Sequence, residues 1–248
     1  MVDHVNNTGV QSAASGVHSQ GIYEESSYQN GPVGSLLELA DGRRFRYARF
    51  AAAAAAGLLI APDESAGALV ETDGSMTAAA IGDTQVTVTA TALDSVTKDQ
   101  FAGAYMHITD DAGEGYQYRI SGNSADGGSD NVVFDLYDGL VVAVTTASDC
   151  AIVANRWNGV VSATATDYNV SGVTARVMSS GYYGWVQTTG MAIILADGTI
   201  AVGDNLTLSD GVAGAIQLKD AETESLIGAA AYAPDTTGHC GVRLYGLE

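Results

Sequence analysis

At 248 residues and 25.4 kDa the chain can bury a sizeable core, about 70% of its unfolded surface, in one or two domains. Its 46% hydrophobic content rests on Ala and Val rather than Leu, with 30 Gly and few aromatics; this excludes collagen-like and disordered classes and predicts an all-β fold of many short strands. The formal charge of −19, from 29 acidic against 10 basic residues, opposes approach to a phosphate backbone and sets nucleic acid aside as a partner.

Residues 1 to about 35 (VNNTGVQSAASGVHSQGIYEESSYQNGPVGS within them) are rich in Gly, Ser, Asn and Gln, with apolar residues placed singly. Such a stretch cannot nucleate a core; it reads as an extended arm that orders on a partner, or as a disordered tail. MVDHVNNTGVQS lacks a basic start and an apolar centre, and no stretch approaches the roughly 18 apolar residues of a membrane span, so a cytosolic primary product without membrane contact is expected. In LLELADGRRFRYARF the Asp41-Gly42 pair reads as a two-residue hairpin turn. Ala51 to Ala56 has the highest helix propensity, and Gly57 and Pro62 follow as stop signals, which predicts one short helix.

From residue 63 to 155 the pattern changes to alternation. TQVTVTATAL places Val86 and Val88 on one face and Thr87 and Thr89 on the other, and YMHITDDAGEGYQYRI, NVVFDLYDGLVVAVTT and CAIVANRW follow between Gly, Asp and Asn turns. This is a middle β-domain. From 156 to 248, VTARVMSS, YYGWVQTTG, MAIILADG, NLTLSDGV, SLIGAAAYA and CGVRLYGL predict a second β-barrel or sandwich. The expected organisation is therefore an arm with hairpin and helix (1–62), a middle β-domain (63–155) and a C-terminal β-domain (156–248).

Candidate chemistry is sparse. Cys150 and Cys240 are too far apart in sequence to form a framework. His4, His18, His107 and His239 accompany no nucleophile motif, and His239 and Cys240 would point to opposite faces of a strand. No dinucleotide, P-loop or metalloprotease signature occurs, so neither enzyme activity nor a cofactor is expected. Asp110, Asp111 and Glu114, and Asp126 with Asp130, offer calcium-type oxygens without calcium-loop spacing; solvated acidic turns are the better reading. Tyr182, Tyr183 and Trp185 could form a platform for sugars or a packed strand.

The run GYYGWVQTTGMAIILADGTIAVGDNLTLSDGVAGAI, residues 181–216, is similar to the C-terminal β-barrel of tailed-bacteriophage capsid decoration (cement) proteins. There a G-x-V-x-x-x-G strand pair precedes a G-D-x-L-x-L-S turn, and an I-G-x-A strand, here Ile227-Gly228-Ala229-Ala230, closes the barrel. FAGAYMHITDDAGEGYQYRISG (101–122) resembles a second stretch of such proteins, and DGRRFRYAR (41–49) their arm motif. The resemblance implies a structural virion protein made in the host cytoplasm and bound to the outer capsid surface. It also implies a homotrimer touching the major capsid protein. The alternative is a tail or fibre component binding host carbohydrate; an adhesin or hydrolase accessory module is a weaker third.

Four of the ten basic residues, Arg43, Arg44, Arg46 and Arg49, fall within seven positions, interleaved with Phe45, Tyr47 and Phe50. Guanidinium forks suit carboxylates, and aromatics are enriched at interface centres, so this segment is the expected contact to an acidic protomer face or to the shell. The other reading is a strand that alternates solvated arginines with buried aromatics.

Overall fold

A computed structural model describes residues 20–63, 70–94, 96–127, 130–165, 169–233 and 238–247. Within them the chain is all-β. In chain order the first strands are β1 (Glu25–Ser26), β2 (Leu36–Glu38), β3 (Arg44–Phe50) and β4 (Leu59–Pro62). Then come β5 (Val70–Met76), β6 (Gln85–Thr89), β7 (Tyr105–Asp110), β8 (Gln117–Asn123), β9 (Asn131–Leu136) and β10 (Asp149–Val153). The rest are β11 (Asn158–Ser162), β12 (Gly172–Thr174), β13 (Tyr183–Leu195), β14 (Asn205–Leu208), β15 (Ile216–Leu218), β16 (Gly228–Tyr232) and β17 (His239–Leu244). The chain divides into two compact units, residues 1–62 with 159–248, and residues 63–158.

The second unit is a closed antiparallel barrel in the order β10-β5-β6-β9-β8-β7. Period-two alternation builds it: Val86 and Val88, Val132 and Phe134, Tyr118 and Ile120, Met106 and Ile108, and Cys150 and Ile152 all point inward and are buried. Phe101 and Phe134 meet in this core with ring centroids 5.8 Å apart. Residues 63–158 carry fifteen acidic side chains against three basic ones, a net charge of −12, so most of the chain's charge sits on this barrel.

The first unit is an 11-stranded sheet folded back on itself. The pairings β13–β12–β4–β11–β3 return to β13 and close a ring. Beyond residue 189 the same β13 leaves β3 and pairs with β17, followed by β16, β14 and β15. The hinge of this exchange is Gly190, at φ 91°, where a Cβ would lie 2.9 Å from Arg43 Cγ; only glycine takes that backbone cheaply. Leu59, Val173, Ile194, Leu206, Ile216 and Val242 share one core.

Residues 20–62 are therefore not a separate arm. A hairpin joins β2 and β3 as expected, but its loop is three residues, Ala40-Asp41-Gly42, and not the two-residue Asp41-Gly42 turn: Glu38 lies opposite Arg44, Leu39 N–H donates to the Arg43 carbonyl at 2.9 Å, and Gly42 takes φ 83°. β3 in turn lies against β13 as an integral strand. Residues 20–30 are clasped too, by Gln20, which is 7% exposed. Its amide nitrogen donates to the carbonyls of Glu24 and Tyr183, both at 2.9 Å, and its amide oxygen accepts from Tyr47 Oη (2.8 Å) and Asn30 Nδ2 (3.1 Å). Trp185 Nε1 donates to its backbone carbonyl at 2.9 Å. A single polar residue thus ties down a segment with too few apolar anchors. The arm's earlier portion, residues 1–19, lies outside the described residues.

The expected helix over Ala51–Ala56 does not form. Ala54 instead makes a reciprocal antiparallel bridge with Met178 (N···O 3.0 and 2.8 Å), and Gly57 takes a positive φ in a turn. Six alanines cannot repay helix nucleation when two flanking strands already fix both ends.

One turn recurs in both units. Ala80-Ile81-Gly82-Asp83 and Ala201-Val202-Gly203-Asp204 each have the Asp N–H bonded to the Ala carbonyl at 3.1 Å, glycine φ of 90° and 94°, and the Asp carboxylate accepting the Ala N–H at 2.7 and 2.8 Å. These are type II turns locked by a carboxylate. Asp204 thus closes the turn that ends just before Asn205. Each glycine N–H then docks on a facing strand, on Leu140 and Ala230 respectively, at 2.8 Å.

Candidate functional site

The arginine–aromatic segment resolves into two faces. Phe45, Tyr47 and Phe50 are fully buried. Tyr47 packs edge-on against Trp185 (5.1 Å) and parallel to Tyr183 (6.1 Å). These aromatics fill the protein's own core and are not available as interface anchors. The arginines have intramolecular partners: Arg43 Nε meets Asp41 at 2.7 Å, Arg44 Nε meets Glu38 at 3.4 Å, and Arg46 Nη1 donates to the Gly34 carbonyl at 3.0 Å. The Arg43 backbone N–H and guanidinium together hold the Asp41 carboxyl below its usual range. Arg49 lies half-buried opposite Tyr183.

The 182–185 aromatics are likewise no open platform. Trp185 is 1% exposed, and Tyr182 and Tyr183 are half-buried. His239 is exposed while Cys240 is buried, on opposite faces of β17 as expected; burial, with the Asp204 charge, pushes the Cys240 thiol up. His107 lies half-buried between Gln117 and Ala151; His4 and His18 lie outside the described residues. In the 110–114 turn, Asp111 adopts φ 57° and its carboxyl is lowered, chiefly by the Thr145 hydroxyl donating to it at 2.7 Å. Among the described residues no three His, Cys, Asp or Glu side chains converge to hold a metal, and no helix is long and apolar enough to cross a membrane.

Two surfaces that sequence reasoning missed stand out. In the first unit, an open groove of about 510 Å³ is lined by Tyr23, Arg43, Gly57, Met191, Ile193 and His239 among others, and none of its lining residues is acidic. It continues onto the outer face of β13–β17–β16, where Ile193, Gly241 and Tyr232 stand in one cross-strand row and Met191, Arg243 and Ala229 in the next. Ile193 and Tyr232 are 60% and 61% exposed. Alternation along MAIIL could have signalled this face, because Ala192 and Ile194 turn inward and leave Met191 and Ile193 outward.

On the second unit, the outer wall of the barrel carries Val153, Tyr105 and Arg119 as successive register partners across β10, β7 and β8. Tyr137 follows, its N–H donating to the Arg119 carbonyl at 3.0 Å and its ring 4.8 Å beneath the Arg119 guanidinium. No family model matches the chain, and no curated protein or solved structure matches it.

Proposed function

We propose that the protein is a non-enzymatic decoration (cement) protein of a tailed-bacteriophage head, acting as a homotrimer on the outer capsid surface in contact with the major capsid protein. The observation that carries this reading is the apolar face of the first unit. In a chain of net charge −19, the groove and the β13–β17–β16 surface gather Met191, Ile193, Tyr232, Arg43, Arg243 and His239 in one place. Charge elsewhere keeps the protein soluble and restricts association to such a patch. Support also comes from the family-like motifs, which fall on one continuous piece of this unit: G-W-V-Q-T-T-G within β13, G-D-N-L-T-L-S on the turn and strand of β14, and G-A-A in β16.

The mechanism is mechanical. The unit-1 face joins protomers, each protomer makes weak contacts to the shell, and linkage of several such contacts multiplies their strength without any strong single site. The contact first expected at Arg43–Phe50 moves accordingly: Arg43 remains at the groove, while the aromatics serve the core.

The test is a cryo-electron microscopy reconstruction of expanded heads incubated with the protein, beside light scattering of the free protein. A solution mass three times 25.4 kDa and density bridging capsomers are expected. Ile193→Asp with Tyr232→Asp should give folded monomers and lose capsid density. A monomeric wild type, or density confined to the tail, overturns the reading, and the latter favours a tail or fibre role.

A further inference from the structure

We propose that the outer wall of the β5–β10 barrel carries a binding face for a neutral oligosaccharide, centred on Tyr105, Arg119 and Tyr137. The inference is independent of the decoration reading, since it rests on the other unit and on other residues. Tyr105 and Tyr137 are 41% and 55% exposed, on a wall whose inward positions are closed by Tyr118, Ile120 and Leu136. They flank Arg119 across the ladder, so their backbones lie two strand spacings, about 10 Å, apart. Two pyranose rings joined by one glycosidic bond span a similar distance.

The Tyr137 ring is held in place. The Arg119 guanidinium covers one face of Tyr137 at 4.8 Å, which orients the ring and leaves the guanidinium edge beside it. An aromatic face packs against the C–H face of a sugar, while hydroxyls need planar donors and acceptors at the rim. The rim supplies them: Gln117 is exposed on the same face of β8, Asp138 is exposed beside Tyr137, and the next row carries Asp135 with its carboxylate already accepting from Gln85 Nε2 at 2.8 Å.

Size and charge select the occupant. A tyrosine offers about 150–250 Å² in all, so at these exposures the pair presents on the order of 200 Å², a quarter of the roughly 800 Å² per partner of a stable protein interface. The patch is too small for a protein and adequate for two sugar rings. Fifteen acidic residues against three basic ones on this barrel repel anionic glycans, so the sugar is neutral.

The experiment is saturation-transfer NMR on the full chain with maltotriose, cellotriose, chitotriose and N-acetyllactosamine, and with 3′-sialyllactose as the anionic comparison. At least one neutral sugar should receive saturation, more strongly than the sialylated one. Tyr105→Ala and Tyr137→Ala should each weaken it about tenfold or more, Tyr137→Phe should retain it, and melting temperatures should hold because both side chains are exposed. Absence of transfer to every neutral sugar, transfer that survives both alanine variants, or loss of capsid occupancy in those variants without any sugar signal would each overturn the proposal, the last by assigning the face to a protein contact.

Discussion

Replacing Gln20 with Ala tests whether one buried amide fastens residues 20–30 to the first unit. The change removes two bonds to the Glu24 and Tyr183 carbonyls and leaves the Tyr47 hydroxyl, itself fully buried, without the acceptor it uses at 2.8 Å. A buried donor stranded in this way costs about 1–3 kcal/mol and each lost neutral bond about 1. Asn30 is exposed and can turn to water, and the freed chain regains up to about 2 kcal/mol of side-chain entropy. The net loss is about 3 kcal/mol, which in a unit of roughly 150 residues lowers Tm by about 6–12 °C. The two tryptophans allow the units to be followed separately, since Trp185 lies in the first and Trp157 in the second. Fluorescence of Trp185 in a Trp157→Phe background, with urea as denaturant, reads the first unit alone. Tyr28→Ala, at a residue 79% exposed, is the control. A Gln20→Ala loss no larger than the control's would refute the clasp.

Burial raises the Tyr47 phenol above its ordinary value of 10.0 against the weaker effect of the Asn30 N–H. The neutral form is favoured by folding, so its contribution is complete below about pH 10 and disappears as pH climbs through the raised value; stability of Tyr47→Phe should fall less steeply over that alkaline range. Gly228→Ala would place a Cβ 2.3 Å from the Arg243 carbonyl oxygen, a backbone atom that cannot yield; β16 should separate from β17, with a loss of at least about 3 kcal/mol seen as lost amide protection at residues 240–244. Phe134→Ala should cost the barrel about 3–5 kcal/mol, read by Trp157, with little change at Trp185. Cys150 and Cys240 are both buried, so neither thiol should react with a disulfide reagent until the protein is unfolded; rapid labelling of the native chain would contradict their placement.

Where alternation meets tight turns, the fold is legible in the sequence. Val86 and Val88 turn inward as read, a hairpin forms around Asp41 and Gly42 although with a loop one residue longer than read, and His239 and Cys240 face opposite ways. What stayed hidden depends on partners distant in sequence. Gln20 carries no period and no motif, yet its contacts reach Tyr47 and Tyr183, 27 and 163 residues away. The alanine run has a strong local preference that its bridge to Met178 overrides. Both exposed rows were obscured for a related reason: Ile193 meets Tyr232 across a glycine, and Tyr105 meets Tyr137 across an arginine, and each row exists only once strands are placed in register.

β13 runs for 13 residues without interruption, bonded to β3 along its first half and to β17 along its second. A tension applied between those two neighbours does not meet a seam. Tension along the strand enters through one ladder, passes along covalent backbone across Gly190 and leaves through the other, so each ladder is loaded in shear and its own hydrogen bonds must break together rather than peel one by one. A sheet threaded on a single strand in this way should yield late and all at once under tension along that strand.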